Sequence, residues 1–163
     1  MGVEIERKFL VETDHWRNDI RRSIEIEQGY LSIEPERTIR VRVQDDRAKL
    51  TIKGQARGLA RLEFEYEIPT DDGEQILRQF CADRRLEKTR HEVLVEDHLW
   101  EVDVFEGVNE GLVVAEVELG RPDETFAEPD WLGEEVTGDV RYYNAQLVQR
   151  PYQSWAREST DGE

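Results

Sequence analysis

The chain has 163 residues, 37% of them charged and 37% hydrophobic, and a formal net charge of −16 at pH 7. That length suits one domain with a core of its own, and no run approaches the ~20 apolar residues of a membrane helix. So large a negative charge disfavours nucleic acid and anionic membranes as partners, and an anionic substrate would need a local concentration of positive charge.

The opening residues MGVEIERKFLV lack the basic segment and apolar run of a secretory signal. Cys81 is the one cysteine, which excludes an intrachain disulfide or a thiolate metal site. These features predict a soluble, cytoplasmic protein. The total charge reads as a solubility or salt-adaptation surface. The basic residues say more. Of 22, only four are lysines (Lys8, Lys49, Lys53 and Lys88), and each falls in a segment that reads as a strand. On a surface Lys and Arg are nearly interchangeable, but a compact ammonium and a planar guanidinium differ at a site.

In chain order, the hydrophobic period is mostly two. Val3–Val11 reads as the first strand, and Thr13–Arg21 as a helix capped by Thr13, with Trp16 and Ile20 on one face. Strands follow at Ser23–Ile33, Thr38–Asp45, Ala48–Gly54 and Arg61–Pro69. A helix over Thr70–Ala82, capped by Thr70 or Asp71, carries the stripe Ile76, Leu77 and Phe80. Then come strands at Glu87–Glu96, Leu99–Phe105 and Leu112–Gly120, and a last short helix around Val140–Leu147. Residues 1–155 form a single domain, and 156–163 are expected to be a frayed tail. Asp45-Asp46-Arg47 and Asp97-His98 read as tight hairpin connections, so the pairing is antiparallel. About eight strands with few helices predict a closed barrel or a sandwich. Closure would also remove the exposed edges of so much β-structure.

Residues of equal parity share a strand face. Glu4, Glu6 and Lys8 therefore lie together, as do Arg40 and Arg42, and Lys49, Thr51 and Lys53. The same holds for Arg61, Glu63, Glu65 and Glu67; for Lys88, Arg90 and Glu92; for Glu101 and Asp103; and for Glu116 and Glu118. For any one strand, the plain reading is the wet face of an ordinary sheet. Two features favour an inward-facing, charged lumen. Sign is segregated by strand, with RVR and KLTIK basic and LEFEYE and EVE acidic, whereas a generic surface mixes both. The opposite faces (Ile39, Val41, Val43; Leu62, Phe64, Tyr66; Val113, Ala115, Val117) are also apolar enough to pack on helices.

A lumen with opposed acidic and basic walls has a definite chemistry. Carboxylates two residues apart project side by side and offer hard oxygen ligands to Mg²⁺ or Mn²⁺. Arg and Lys on facing strands can hold phosphate oxygens, and phosphoryl transfer asks mainly for positioning and charge stabilisation. No Ser-His-Asp or Cys-His arrangement is evident, and His15, His91 and His98 read as surface or turn residues.

Glu4-Ile5-Glu6-Arg7-Lys8 is an ExExK motif near the N-terminus. QGYL (28–31), TIRVR (38–42), LTIKG (50–54), RLEFEYEI (61–68), KTRHEV (88–93), WEVDVF (100–105) and AEVELG (115–120) follow it in order. In this order the motifs resemble the CYTH, or triphosphate tunnel metalloenzyme, family over nearly the whole chain. EVTGDVRYYNAQL looks like the family's closing helix. The resemblance implies a closed eight-stranded antiparallel β-barrel, mainly β, with short helices packed outside or plugging one end. It also implies a small-molecule triphosphate substrate and dependence on Mg²⁺ or Mn²⁺, in a monomer or homodimer. By the same resemblance Glu4, Glu6, Glu116 and Glu118 would face the metal. Lys8, Arg40, Arg42, Lys53, Lys88 and Arg90 would grip phosphates, with Lys8, Glu4 and Glu6 closest to the chemistry. Glu63, Glu65, Asp103 and Tyr30 would support them. Arg141 sits where some members place a basic residue on the closing helix, and Lys49 matches no position. Small bacterial inorganic triphosphatases are the nearest resemblance. A class IV-type adenylyl cyclase, a thiamine triphosphatase and a non-catalytic polyphosphate-binding module remain alternatives.

Overall fold

The computed structural model describes residues 2–156. The expected tail therefore lies outside the described residues, apart from Ala156 at the end of a short helix. Among the described residues nine strands form: β1 (Gly2–Val11), β2 (Ile20–Glu34), β3 (Arg37–Gln44), β4 (Arg47–Gly54), β5 (Ala60–Ile68), β6 (Arg85–Val95), β7 (His98–Phe105), β8 (Val113–Glu118) and β9 (Leu132–Glu135). Their order is β5-β4-β3-β2-β6-β7-β8-β1-β9, and β5 also pairs with β1. That pairing closes an eight-stranded antiparallel barrel, with β9 as one extra strand on β1.

Two-residue turns link β3 to β4 and β6 to β7. Gln44 pairs with Arg47 and Val95 with His98, so the second turn is Glu96-Asp97 rather than Asp97-His98. Asp45 and Glu96 open these turns at φ 52°, in the left-handed region.

The first expected helix shrinks to a 3-10 turn, His15–Asp19, and Ile20 already belongs to β2. Trp16 drops into the wall formed by Val93, Trp100 and Val117, and Ile20 is claimed by pairing with Val93. Tertiary packing overrides the local helix signal. The Thr13 hydroxyl still accepts from the His15 amide, at 3.3 Å, without capping a helix.

Helix α1 (Thr70–Phe80) forms as expected, but Pro69 occupies its N-cap position and no side chain caps it. The Thr70 hydroxyl instead donates to the Asp46 carbonyl at 2.6 Å, tying the helix start to the β3–β4 turn. Ile76 and Leu77 pack toward Val41, Val43 and Leu50, while Phe80 of the expected stripe points to solvent. The helix lies so close to the sheet that a Cβ on Gly73 would stand 2.5 Å from that of Ala48.

Outside β1 and β6–β8, Phe9, Trp16, Trp100, Val102, Ala115, Val117 and Trp131 form an apolar layer. It is covered by the 120–131 connection, whose Phe126 and Trp131 meet Trp100 edge-on at 5.6 Å. The apolar outer faces thus find different covers: α1 for β3, a loop for β8. Leu62 and Tyr66 on β5 remain exposed.

A third cluster caps one end of the lumen, where β6 and β8 begin and β7 ends. There Leu86, Phe105, Leu112 and Val114 meet Val136, Tyr142 and Leu147. The expected closing helix is a 3-10 turn (Val140–Tyr142) followed by α2 (Asn144–Leu147) and α3 (Tyr152–Ala156). Among the described residues no helix is long and apolar enough to cross a membrane.

Candidate active site in the barrel lumen

The charged parity of the strands points inward. A cavity of about 290 Å³ is lined by Glu4, Glu6 and Lys8 of β1, Tyr30 of β2, Thr38 and Arg40 of β3, Thr51 and Lys53 of β4, and Arg61 of β5. Segments 55–59 and 137–146 complete it. Four neighbouring strands, β5, β1, β8 and β7, supply the acidic side: Glu63 and Glu65, Glu4 and Glu6, Glu116 and Glu118, Glu101 and Asp103. The other side carries Lys49 and Lys53, Arg40 and Arg42, Lys88 and Arg90, with β2 between β3 and β6. The inner face of β2 is nearly neutral, because Ile24, Ile26, Gln28 and Tyr30 stand opposite Arg90, Lys88, Arg42 and Arg40.

On the cavity wall the charges are only partly matched. Lys53 Nζ donates to Glu4 at 2.7 Å. Arg40 donates to Thr51 Oγ1 at 3.2 Å and lies 3.8 Å from Glu65, but its buried Nε has no acceptor. Arg42 forms no ion pair among the described residues, and its Nε donates to the Gln28 amide oxygen at 2.9 Å. Burial, then repulsion from Arg40 and Arg90, pulls its pKa down to about 9. A guanidinium on the cavity wall with a buried N–H and no acceptor, backed by a second that makes no ion pair, favours an anion there.

Lys8 lies 3.4 Å from Glu116, its partner in β8. Burial opposes its charge, but Glu116 and Glu6 outweigh burial and raise its pKa. Its ammonium also donates to the Tyr142 carbonyl at 3.2 Å and sits over the Tyr143 ring.

Along β6 and β7 the charges close on one another. Asp103, almost wholly buried, accepts from Lys88 at 2.7 Å and from Arg90 through a bidentate pair at 2.8 and 3.0 Å. Burial opposes its ionisation, but Arg90 and Lys88 hold it well below the usual carboxylate range. Lys88 shares that carboxylate with Arg90, so burial, Arg90 and Arg42 together bring it down to about 7. Arg90 also reaches Glu101 at 2.6 Å and Glu116 at 3.9 Å. Arg42, Lys88 and Arg90 thus share the inward parity without lining the cavity.

The carboxylates crowd one another. Glu6 is raised to about 8, first by burial, then by Glu116 and Glu4. Glu63 is also raised, by burial and then Glu4. Burial opposes the ionisation of Glu116, but Lys8, Arg90 and Lys88 together bring it down to about 2. Crowded, mutually repelling carboxylates suit a hard divalent cation. Among the described residues no three His, Cys, Asp or Glu are grouped closely enough to hold an ion; Glu4 pairs with Lys53 and Glu116 with Lys8. Glu118 is exposed and faces Glu6 across the β1–β8 pair.

Arg141 turns away from the lumen. It is exposed, pairs with Asp139 at 2.6 Å and lies over Trp155. Lys49 sits at the rim, 3.2 Å from Glu65. The histidines are all elsewhere: His15 beside Asp130, His91 beside Ser23, His98 beside Glu124. Thr38, Thr51 and Arg61 share the inner parity but had no role assigned from the sequence, and Gln28, Thr137, Tyr143 and Asn144 were passed over altogether. Of the latter, Gln28, wholly buried between Ile26 and Tyr30 on the inner face of β2, is the one with a readable signal.

Residues 2–152 match the profile of the CYTH domain. The chain is 44% identical over 155 residues to an inorganic triphosphatase of Acetivibrio thermocellus, covering 95% of this chain and 99% of that protein. It is 38% identical over 150 residues to one from Nitrosomonas europaea, covering 90% of this chain and 97% of the other. A solved inorganic triphosphatase superposes with a TM-score of 0.65 at 37% identity, covering 91% of this chain and 95% of that one.

Proposed function

The chain belongs to the CYTH family, and from that premise we propose that it is an inorganic triphosphatase dependent on Mg²⁺ or Mn²⁺. Tripolyphosphate enters the lumen and is hydrolysed to pyrophosphate and phosphate. The observation that carries this reading is the cavity itself: Lys8, Arg40, Lys53 and Arg61 are gathered there in a chain of net charge −16. The full-length similarity to two inorganic triphosphatases supports it.

In this reading Lys8, Arg40 and Lys53 grip phosphate oxygens from the cavity wall, with Arg42, Lys88 and Arg90 adding positive charge behind them. Arg40 Nε, buried without an acceptor, is ready to donate to an anion. Glu4, Glu6, Glu116 and Glu118 would hold the divalent ion, which when bound offsets phosphate charge and acidifies a water. Glu63, Glu65 and Tyr30 order the surroundings, and Asp103 fixes Lys88 and Arg90. The oxygen of water joins the terminal phosphorus, the bridging bond breaks, and pyrophosphate leaves with the bridging oxygen. Lys8 and Arg40 stabilise the charge that gathers on the transferred group. The reduced, buried Cys81 suits a cytoplasmic setting.

A substrate panel tests this reading. Tripolyphosphate, ATP and thiamine triphosphate are each incubated with Mg²⁺ or Mn²⁺, and the products are identified. The expected result is phosphate and pyrophosphate from tripolyphosphate, abolished by chelation. Cyclic AMP from ATP, preferential cleavage of thiamine triphosphate, or tight binding without turnover would each replace the proposal.

A further inference from the structure

On the β5-facing edge of β1, the strand changes partner. Residues 2–5 pair with β5, and Phe9 and Val11 pair with β9, which leaves Lys8 between two strands. The backbone groups of Lys8 point into that gap. An unfilled gap would leave them unsatisfied beside a buried side chain.

Residues from the chain's end fill it. The Lys8 amide donates to Thr137 Oγ1 at 2.9 Å, and the Lys8 carbonyl accepts from the Val136 amide at 2.8 Å. Gly138, at φ +82°, then turns the chain toward Tyr142, whose carbonyl takes the Lys8 ammonium. Among the described residues Thr137 is the one side chain that bonds the Lys8 backbone, and it also lines the cavity.

We infer that Thr137 is a positioning residue for Lys8, replacing the missing strand partner so that the ammonium is aimed into the cavity. The inference rests on the triphosphatase reading only in making Lys8 a phosphate ligand. The placement of Lys8 by Thr137 stands apart from it. A side chain holds the Lys8 amide because β5 pairs no further along β1 than Ile5 and β9 no nearer than Phe9.

Thr137→Val keeps the shape and removes the acceptor, while Thr137→Ser keeps the hydroxyl. For tripolyphosphate hydrolysis, Thr137→Val is expected to lower kcat about ten- to a hundredfold. KM should stay within about twofold, because Arg40 and Lys53 still hold the phosphates, and Thr137→Ser should recover most of the loss. A second readout is independent of activity. With only four lysines, the ¹³Cε resonances can be assigned by substitution. The Lys8 resonance should move in Thr137→Val and return in Thr137→Ser, while that of Lys53 stays in place. Unchanged kcat in a folded Thr137→Val, equal losses in the Val and Ser variants, or an unmoved Lys8 resonance would overturn the inference. Thr137→Ala takes the place of the Val variant if that protein does not fold. Wild-type protein inert toward tripolyphosphate would sink the triphosphatase reading alone, and the lysine spectrum would still decide whether Thr137 places Lys8.

Discussion

Along β6 and β7, Lys88, Arg90 and Asp103 satisfy one another in a dry cluster; across the lumen, Arg40 holds a buried Nε with no acceptor and Glu6 is raised to about 8 by burial and like charges. Both walls use the same residue types on the same parity. The difference lies in the partners. Asp103 on β7 stands directly opposite Arg90 on β6, so opposite charges meet. Glu6 stands opposite Glu118, and Tyr30 opposite Arg40, so like or neutral groups meet. One wall is therefore finished as it folds, and the other is left with charges that a bound ion or anion would complete.

The largest effect expected from this contrast is a separation of stability from activity. Asp103→Asn removes the buried carboxylate that holds both Lys88 and Arg90 and should lower unfolding free energy by ~3–5 kcal/mol. Glu4→Gln loses a bond to Lys53 but relieves repulsion of Glu6 and Glu63, so its unfolding midpoint should stay near wild type. Under the proposed function its turnover should nonetheless fall to background. Denaturant unfolding and a phosphate-release assay on both variants check this. A stable Asp103→Asn, or an active Glu4→Gln, would show that the walls do not differ as described.

A smaller effect concerns pH in the absence of divalent metal. The pKa of Glu6 rises on folding from 4.5 to about 8, so between those values the folded state holds a proton that the unfolded state has released. Stability from this group is therefore lost as pH rises through that window. Glu6→Gln cannot ionise, so its stability relative to wild type should increase from pH 5 to about pH 8 and level off above. Chelator-treated proteins unfolded in urea at several pH values would show it. Parallel curves would mean that Glu6 is not crowded.

Much of this contrast was hidden from the sequence, for physical reasons. Alternation exposed the inward parity of Glu4, Glu6, Lys8, Arg40 and Lys53, because a two-residue period survives any barrel geometry. It could not show which inner residues meet, since that depends on register set across the closed sheet. The short β9 (Leu132–Glu135) has no alternation to read and exists because the edge of β1 is free there. Thr13 and Thr70 carry real capping chemistry, yet nearby groups claimed their hydroxyls. Arg141 matched a position in the motif order, but Asp139 two residues earlier holds it outside. The scarcity of lysine was a legible clue: Lys8, Lys49, Lys53 and Lys88 all lie on the inner parity.

Lys49 gives the smallest expected effect and marks where the cavity wall ends. It shares the inner parity of Thr51 and Lys53, but it stands at the rim, and both its side chain and that of Glu65 are more than a third open to solvent. Glu65 does not depend on Lys49 alone, because Thr51 donates to it at 3.0 Å and Arg40 lies 3.8 Å away. A solvated ion pair of this kind contributes little, on the order of 0–1 kcal/mol. Lys49→Arg keeps the charge and can still reach Glu65, so kcat and KM for tripolyphosphate should each change by less than about twofold. Steady-state kinetics beside a melting curve would measure this. A loss above about tenfold in a protein with unchanged melting would mean that the Lys49–Glu65–Arg40 chain sets the guanidinium of Arg40, and the functional wall would then extend to the rim.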